Sequence, residues 1–331
     1  MRPPVSMVGA ILMGAVSVLV FPAAAAPEEV PTQEQVEAFK DGAEKLMIES
    51  QRRVAETAHV VAMTDAPQEE VAAMLAANLE GVFAASYRLF HNAFPARPDS
   101  PKLHAYLFTS EAQYRLLGAP SKSWGAYLSP GLIAFHQERF SPPELRNTAI
   151  HEGVHAYLDM YVSKPGIELP MWLHEGLASY MQHSIVESGV IQPGLFYQKE
   201  RYEAYGSAII DTSIPLLMAR DVDLKKGKLP VEELLLPAGH EDFQRRGAAR
   251  LYRSSWALVH FLRHGPPDGS KKFLALVRDL AGGTGFEDAL LENYDMTIAE
   301  LESAAGDYVK TTLTQPPANP RGSLRGRPAA K

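Results

Sequence analysis

The segment His151-Glu152-Gly153-Val154-His155 has the residue types and the spacing of a metal-binding helix. At about 100° per residue, its two histidines are about 40° apart around the helix and one turn apart along it. Both imidazoles can therefore reach one ion, and Glu152 beside them can take a proton from water that the ion activates. The plainer alternative is that both histidines are ordinary, partly buried side chains, because the bare pattern also occurs by chance.

A second segment, Trp172 to Tyr180, contains a carboxylate that can complete such a site. Nineteen residues (156–174) separate His155 from Glu175. That length allows the first helix to end, a loop to turn and a second helix to return. Two imidazoles, one carboxylate and an open position for water are a usual catalytic zinc set, so the sequence predicts one Zn²⁺ per chain.

Together the two segments resemble the gluzincin metallopeptidases, in particular the aminopeptidase N-like branch and its small bacterial relatives of the peptidase MA-like superfamily. The resemblance extends over residues 102–313 in the order of elements and is specific only at the motifs. It implies that His151, His155 and Glu175 are zinc ligands. It also implies that Glu152 is the general base and proton shuttle.

The same resemblance implies two further parts of a site. Leu251 to Val259 resembles a later helix in which these enzymes place a tyrosine facing the metal, so Tyr252 is the expected oxyanion donor; a tyrosine packed on the domain surface is the alternative. Substrate in this superfamily adds along an exposed strand edge, and the expected edge is Gly125-Ala126-Tyr127. The sequence lacks the Gly-x-Met-Glu-Asn motif that holds a free amine, which favours endopeptidase over exopeptidase action.

Several neighbouring residues are expected to support the site. Asp159, one turn beyond His155, is predicted to accept a hydrogen bond from a ligand imidazole, with a solvent-exposed carboxylate as the alternative. Gly176 and Ala178 are expected at a close approach of two helices. Trp172 and Tyr180 are expected to be buried anchors of the core.

Composition narrows the class of protein. The chain has 331 residues, of which 46% are hydrophobic and 21% charged, enough for one or two domains with a substantial core. The formal net charge is −7, and without residues 1–26, which carry Arg2 and no acidic residue, it is −8. This acidic balance disfavours nucleic-acid binding. Because the chain has no cysteine, any metal must bind through nitrogen and oxygen.

The first 26 residues have the features of a secretory signal. One early positive charge precedes an apolar run over residues 7–21 and a cluster of small residues at 22–26. An uncleaved anchor is the alternative, although the run is shorter than the ~20 residues of a spanning helix. We therefore expect an exported protein of the bacterial periplasm or a secreted one, without a stable membrane span after signal cleavage.

Periodicity predicts an α+β fold, and the resemblance implies that this fold is zincin-like. Apolar stripes indicate helices over 32–57 and 68–92, which we expect to form an N-terminal helical hairpin. Alternation indicates a strand at 103–109 and a β-hairpin at 124–136, so a small mixed sheet precedes a mainly helical half. No clear pattern is visible over 185–247. The expected parts are a signal peptide (1–26), the helical hairpin (27–95), a metallopeptidase domain (102–313) and a disordered tail (314–331).

The leading functional hypothesis is an exported zinc metallopeptidase that acts on a peptide or protein substrate. One alternative is an inactive or weakly active protein of the same fold that serves as a binding or scaffold module of the cell envelope. Another is a zinc hydrolase of a non-peptide amide, because the same water chemistry would serve. The sequence makes no prediction of the oligomeric state.

Overall fold

The computed structural model describes residues 33–94, 101–117, 119, 124–129, 131–138, 142–164, 166–187, 190–194 and 219–314. Within these residues the predicted α+β class is confirmed, with a small mixed five-stranded sheet followed by a helical half. The predicted signal segment and the predicted tail beyond Thr314 lie outside the described residues. Within the described ranges, no helix is both long and apolar enough to cross a membrane.

The first half of the chain forms the sheet and part of its cover. Its helices are α1 (Gln33–Leu46), α2 (Glu70–Phe90) and α3 (Glu111–Leu116), and its strands are β1 (Arg53–Glu56), β2 (Val60–Thr64), β3 (Leu103–Phe108), β4 (Gly125–Ser129) and β5 (Leu132–His136). The strand order is β1-β2-β3-β5-β4. The outer pairs, β1 with β2 and β4 with β5, are antiparallel, and the inner pairs are parallel. The predicted β-hairpin is thus confirmed, and β4 is an edge strand.

The helix that contains the two histidines lies between two other helices. It is α4 (Pro142–Tyr157), which begins at a proline and continues as a π-helical turn over Leu158–Val162. It packs against α2 and against α5 (Met171–Gln182). A Cβ on Gly153 of α4 would lie only 3.0 Å from Cδ2 of Leu79 on α2. The glycine within the histidine motif therefore permits a close approach of these two helices.

The N-terminal helices lie on opposite faces of the sheet, so the predicted antiparallel helical hairpin over 27–95 is wrong. On one face, Ala43 of α1 and the adjoining Met47 share a hydrophobic cluster with Tyr106 and Phe108 of β3. On the other face, α2 and α4 share a cluster with the alternate residues of β3. Those residues are Leu103, Ala105 and Leu107. Successive side chains of a strand point to opposite faces, so β3 separates the two helices.

The boundary of the first predicted helix also needs correction. The sequence predicts helix through residue 57, but α1 ends at Leu46 and residues 53–56 form β1. Side chains of β1 alternate between partly buried and exposed, which is the two-residue period of a strand and not the period of a helix. Because β2 pairs in parallel with β3, residues 53–64 belong to the same sheet as the predicted metallopeptidase domain.

The described residues of the second half of the chain form helices and one short β-hairpin. Its elements are β6 (Ile185–Glu187), β7 (Val190–Gln192), α6 (Val231–Leu235), α7 (His240–Arg245), α8 (Ala248–His264), α9 (Gly269–Leu280), α10 (Phe286–Tyr294) and α11 (Ile298–Tyr308). Helix α11 begins with a capping box, in which the side chains of Thr297 and Glu300 each accept a hydrogen bond from the backbone N–H of the other. The segment 185–247, which shows no clear pattern in the sequence, contains the hairpin, α6 and α7. Residues 195–218 within it lie outside the described residues.

A glycine sets the contact between α5 and α8. A Cβ on Gly176 would lie 2.7 Å from the backbone oxygen of Ser255 and 2.8 Å from Cγ2 of Val259. The predicted close approach at this glycine therefore exists, but its partner is α8 and not the histidine helix. Trp172 and Tyr180 are fully buried, as expected of core anchors. Helix α5 is consequently held between α4 and α8.

Candidate metal centre

The two histidines of α4 are buried and face each other across one helical turn. Their exposed fractions are 1% for His151 and 5% for His155, and their ring centroids lie 4.9 Å apart. Nδ1 of His151 lies 3.1 Å from Oε1 of Gln182, an amide oxygen that can only accept a hydrogen bond. The ring proton of His151 therefore lies on Nδ1, and Nε2 presents its lone pair to the site.

Glu175 on α5 brings a carboxylate between the two imidazoles. Its Oε2 lies 3.3 Å from Nε2 of His151 and 3.5 Å from Nε2 of His155. The ligand atoms of the three residues all lie within 4.8 Å of one another. The structure thus brings His151, His155 and Glu175 together as predicted, in a buried group that could hold a metal ion.

The local electrostatics favour positive charge at this position. Burial raises the pKa of the Glu175 carboxyl, but the charge of His155 and the close contacts with the surrounding histidines outweigh burial and hold that pKa well below its usual range. Burial likewise lowers the pKa of His155, but the charge of Glu175 and its hydrogen bond raise it to about 9. Nε2 of His155 and Oε2 of Glu175 are buried, and at 3.5 Å any hydrogen bond between them is long and weak. A cation fits this donor set because it would compensate both atoms.

Glu152 lies next to the ligand group and is fully buried. Its Oε2 accepts a hydrogen bond of 2.9 Å from the backbone N–H of Tyr127 on β4. Its Oε1 is buried and has no hydrogen-bond partner among the described residues. One oxygen of the carboxylate is therefore anchored to the sheet edge, while the other remains available for a proton.

Tyr252 on α8 lies beside His151, and its role as oxyanion donor stays a prediction. Its ring centroid lies 6.0 Å from that of His151, and its hydroxyl accepts a hydrogen bond of 3.3 Å from Nε2 of Gln244. Burial, followed by the negative charges of Glu175 and Glu152, raises the pKa of Tyr252 well above its usual value. The phenol therefore keeps its proton at neutral pH and can act as a donor.

The predicted substrate edge lies beside Glu152. Gly125, Ala126 and Tyr127 are on β4, at the edge of the sheet. Burial and then the charge of Asp159 raise the pKa of the Tyr127 phenol well above its usual value. A Cβ on Gly125 would lie 2.6 Å from the Phe135 ring, so a larger residue would not fit. That this edge binds substrate stays a prediction.

Asp159 is not placed as predicted. Its Oδ1 lies 3.7 Å from Nε2 of His174 and 3.4 Å from Oγ of Ser163, so the carboxylate faces a histidine outside the ligand group. The π-helical turn begins at Leu158 and changes the register that regular helical spacing from His155 would give. The ligand imidazole of His151 is instead oriented by Gln182. This partner could have been inferred, because it lies seven residues, or two turns, after Glu175 on α5.

His240 is the site residue that sequence reasoning missed. It is 6% exposed and is the first residue of α7, and its Nδ1 lies 3.3 Å from Oε1 of Glu175. Its Nε2 lies 3.1 Å from Nε2 of Gln244. A single histidine in a six-residue helix carries no local pattern that would indicate this contact.

Comparisons with known proteins add no relative. Neither the models of protein families nor the curated proteins contain a match to this chain. A functional conclusion therefore depends on the geometry of the metal centre.

Proposed function

We propose that this protein is an exported zinc-dependent metallopeptidase of the gluzincin type, acting as an endopeptidase. The observation that carries the proposal is the position of one Glu175 oxygen, 3.3 Å and 3.5 Å from the two imidazole Nε2 atoms. The buried Glu152 beside this group supplies the acid-base function that a purely structural metal site does not need.

The spacing of the donor atoms supports zinc as the ion. Ligand atoms about 2.0–2.1 Å from a zinc ion at tetrahedral angles stand about 3.4 Å apart, which agrees with both Glu175 distances. Two neutral imidazoles and one carboxylate leave a fourth position for water, as in catalytic zinc sites. We therefore propose one zinc ion per chain, held by His151, His155 and Glu175.

Glu152 would move the proton during hydrolysis. A bound zinc ion supplies Lewis acidity, which lowers the pKa of water at the ion from about 15.7 to about 7. Oε1 of Glu152 accepts the proton as the water oxygen attacks the peptide carbonyl carbon. The same oxygen then donates it to the leaving amine as the carbon–nitrogen bond breaks. The hydrogen bond from Tyr127 N–H holds Oε2, so the carboxylate keeps one orientation throughout.

Tyr252 would stabilise the charge that develops on the substrate carbonyl oxygen. Its phenol is protonated and lies against His151, so it can donate a hydrogen bond to that oxygen. Such a donor acts more strongly on the developing oxyanion than on the neutral carbonyl, and one of them is worth roughly 3–4 kcal/mol. This assigns Tyr252 to transition-state stabilisation and not to metal binding.

The substrate class follows from the sheet edge. An extended peptide can add to an edge strand through main-chain hydrogen bonds, and β4 is an edge strand adjoining Glu152. The chain lacks the Gly-x-Met-Glu-Asn motif that would bind a free amine at one end of the substrate. Cleavage within a polypeptide is therefore the proposed activity.

The test compares the parent protein with Glu152→Gln, using Glu292→Gln on the exposed surface of α10 as the control. Zinc content is measured by mass spectrometry after gel filtration, and cleavage is measured on a mixed peptide library. We expect one zinc per chain in all three proteins and peptide turnover in the parent and the control only. A Glu152→Gln protein that cleaves as fast as the parent would refute the mechanism, and a zinc-loaded parent without any turnover would refute peptidase function.

A further inference from the structure

The two oxygens of Glu175 have different environments. Oε2 faces the imidazoles of His151 and His155, whereas Oε1 lies 3.3 Å from Nδ1 of His240, at ion-pair distance. The carboxylate is 1% exposed, so water does not substitute for a missing partner. When a neighbouring N–H group holds one oxygen of a carboxylate, only the other oxygen is left to bind an ion.

Gln244 fixes which nitrogen of His240 donates. Nε2 of the Gln244 amide is a donor only and lies 3.1 Å from Nε2 of His240, so that ring nitrogen accepts. The ring proton is then on Nδ1 and points toward the Glu175 carboxylate, which can only accept. The second amide hydrogen of Gln244 is donated to the Tyr252 hydroxyl at 3.3 Å. A continuous network therefore joins Glu175, His240, Gln244 and Tyr252.

We propose that His240 is a positioning residue for the metal centre, acting through Glu175. It restrains Oε1 so that Oε2 alone binds the ion, and through Gln244 it sets the position of the Tyr252 phenol relative to that ion. Its ring nitrogens are not part of the group whose ligand atoms all lie within 4.8 Å of one another, which agrees with an indirect role. This inference rests on the proposed metal binding by His151, His155 and Glu175.

Local structure explains why His240 can hold this position. It is the first residue of α7, a short helix that is followed after Arg246 and Gly247 by α8. Gln244 is four residues later, so it lies on the same face of α7 as His240. Phe243 of α7 is fully buried and packs edge-on against the Tyr252 ring with centroids 5.1 Å apart. The packing of α7 on α8 thus holds the α7 residues of the network, His240 and Gln244, in position relative to Tyr252 on α8.

The experiment measures the affinity of the chelator-treated full-length protein for Zn²⁺ and Co²⁺ by competition with a chromophoric chelator. His240→Ala removes the donor, whereas His240→Asn keeps an N–H close to the position of Nδ1. Glu241→Gln changes the exposed neighbouring residue and is the matched control. Removing such an indirect partner weakens metal binding by about 10–100-fold, so we expect that loss in His240→Ala, near-parental affinity in His240→Asn and no change in the control.

The outcomes separate this inference from the proposed function. A parent that binds neither ion overturns both. A parent that binds, together with a His240→Ala variant of equal affinity, overturns the inference alone. A Co²⁺ absorption spectrum that changes its band pattern in His240→Asn shows that His240 binds the ion directly, which also overturns the positioning role.

Truncation of a buried histidine can also impair folding, so Gln244→Leu provides a second comparison. It leaves His240 in place and removes the amide donor that orients its ring. We expect a folded protein, by circular dichroism, with weaker Zn²⁺ binding than the parent and a lower kcat. A folded Gln244→Leu protein with parental affinity and parental kcat would contradict the network.

Discussion

Substituting Gly176 by alanine tests how closely α5 and α8 are packed. The added Cβ would lie 2.7 Å from the Ser255 backbone oxygen and 2.8 Å from Cγ2 of Val259, and neither atom belongs to a flexible side-chain end. Overpacking of this kind costs about 1–3 kcal/mol. Alanine also has the higher helix propensity, worth about 1 kcal/mol in a helix interior. The steric term is the larger, so we expect Gly176→Ala to lower the free energy of unfolding by up to about 2 kcal/mol.

The assay is thermal unfolding of chelator-treated protein, followed by circular dichroism, so that metal binding does not contribute. For a chain of this size each kcal/mol corresponds to roughly 1–2 °C, and we expect the midpoint to fall by up to about 3 °C. Gly42→Ala on α1 is the control, because its Cβ would be 4.0 Å from the nearest neighbour, Cδ2 of Leu117. That variant should be stabilised by about 0.5–1 kcal/mol. If both midpoints rise, the steric reasoning is wrong.

Two further predictions concern the chemistry of the site. The pKa of His155 is raised to about 9 in the metal-free protein, so below that pH a proton must leave before a metal binds. Apparent Zn²⁺ affinity, measured with a competing chelator, should therefore rise about tenfold per pH unit from ~7 and level off near pH 9; a flat profile would contradict this. Tyr252→Phe should keep the zinc content of the parent and lower kcat by about 10²–10³-fold in steady-state peptide cleavage. An unchanged kcat would exclude Tyr252 as the oxyanion donor.

The elements with local signals were predicted well from the sequence. The β-hairpin of β4 and β5 is an example, because its alternating residues and its turn lie within a few residues of one another. The strand β1 was missed because four residues give too few periods to separate alternation from the end of an amphipathic helix. An apolar stripe also does not reveal which face of a sheet it covers, so α1 and α2 were wrongly paired.

The difference between local signals and tertiary packing also explains which parts of the candidate metal centre were predicted. His151 and His155 belong to one helix, so their separation is set by helical geometry alone. Glu175 and Tyr252 were found because they lie in recognisable segments on later helices. The Asp159 prediction was wrong because it assumed regular α-helical spacing after His155. The sequence did not indicate the π-helical turn that begins at Leu158. The positions of His240 and Gln244 depend on tertiary packing of α7 and were not predictable from spacing.

In the proposed zinc peptidase, the order of the helices along the chain separates binding of the ion from the start of activity. The histidines and Glu175 come from neighbouring helices, whereas His240 and Tyr252 arrive only after the long intervening segment. Closing a longer loop costs more entropy, so the nearer contacts are expected to form first during folding. A newly made chain would then acquire its ion before its phenol and its orienting imidazole are in place. Such a sequence of events would delay the onset of hydrolysis until the last helices have docked.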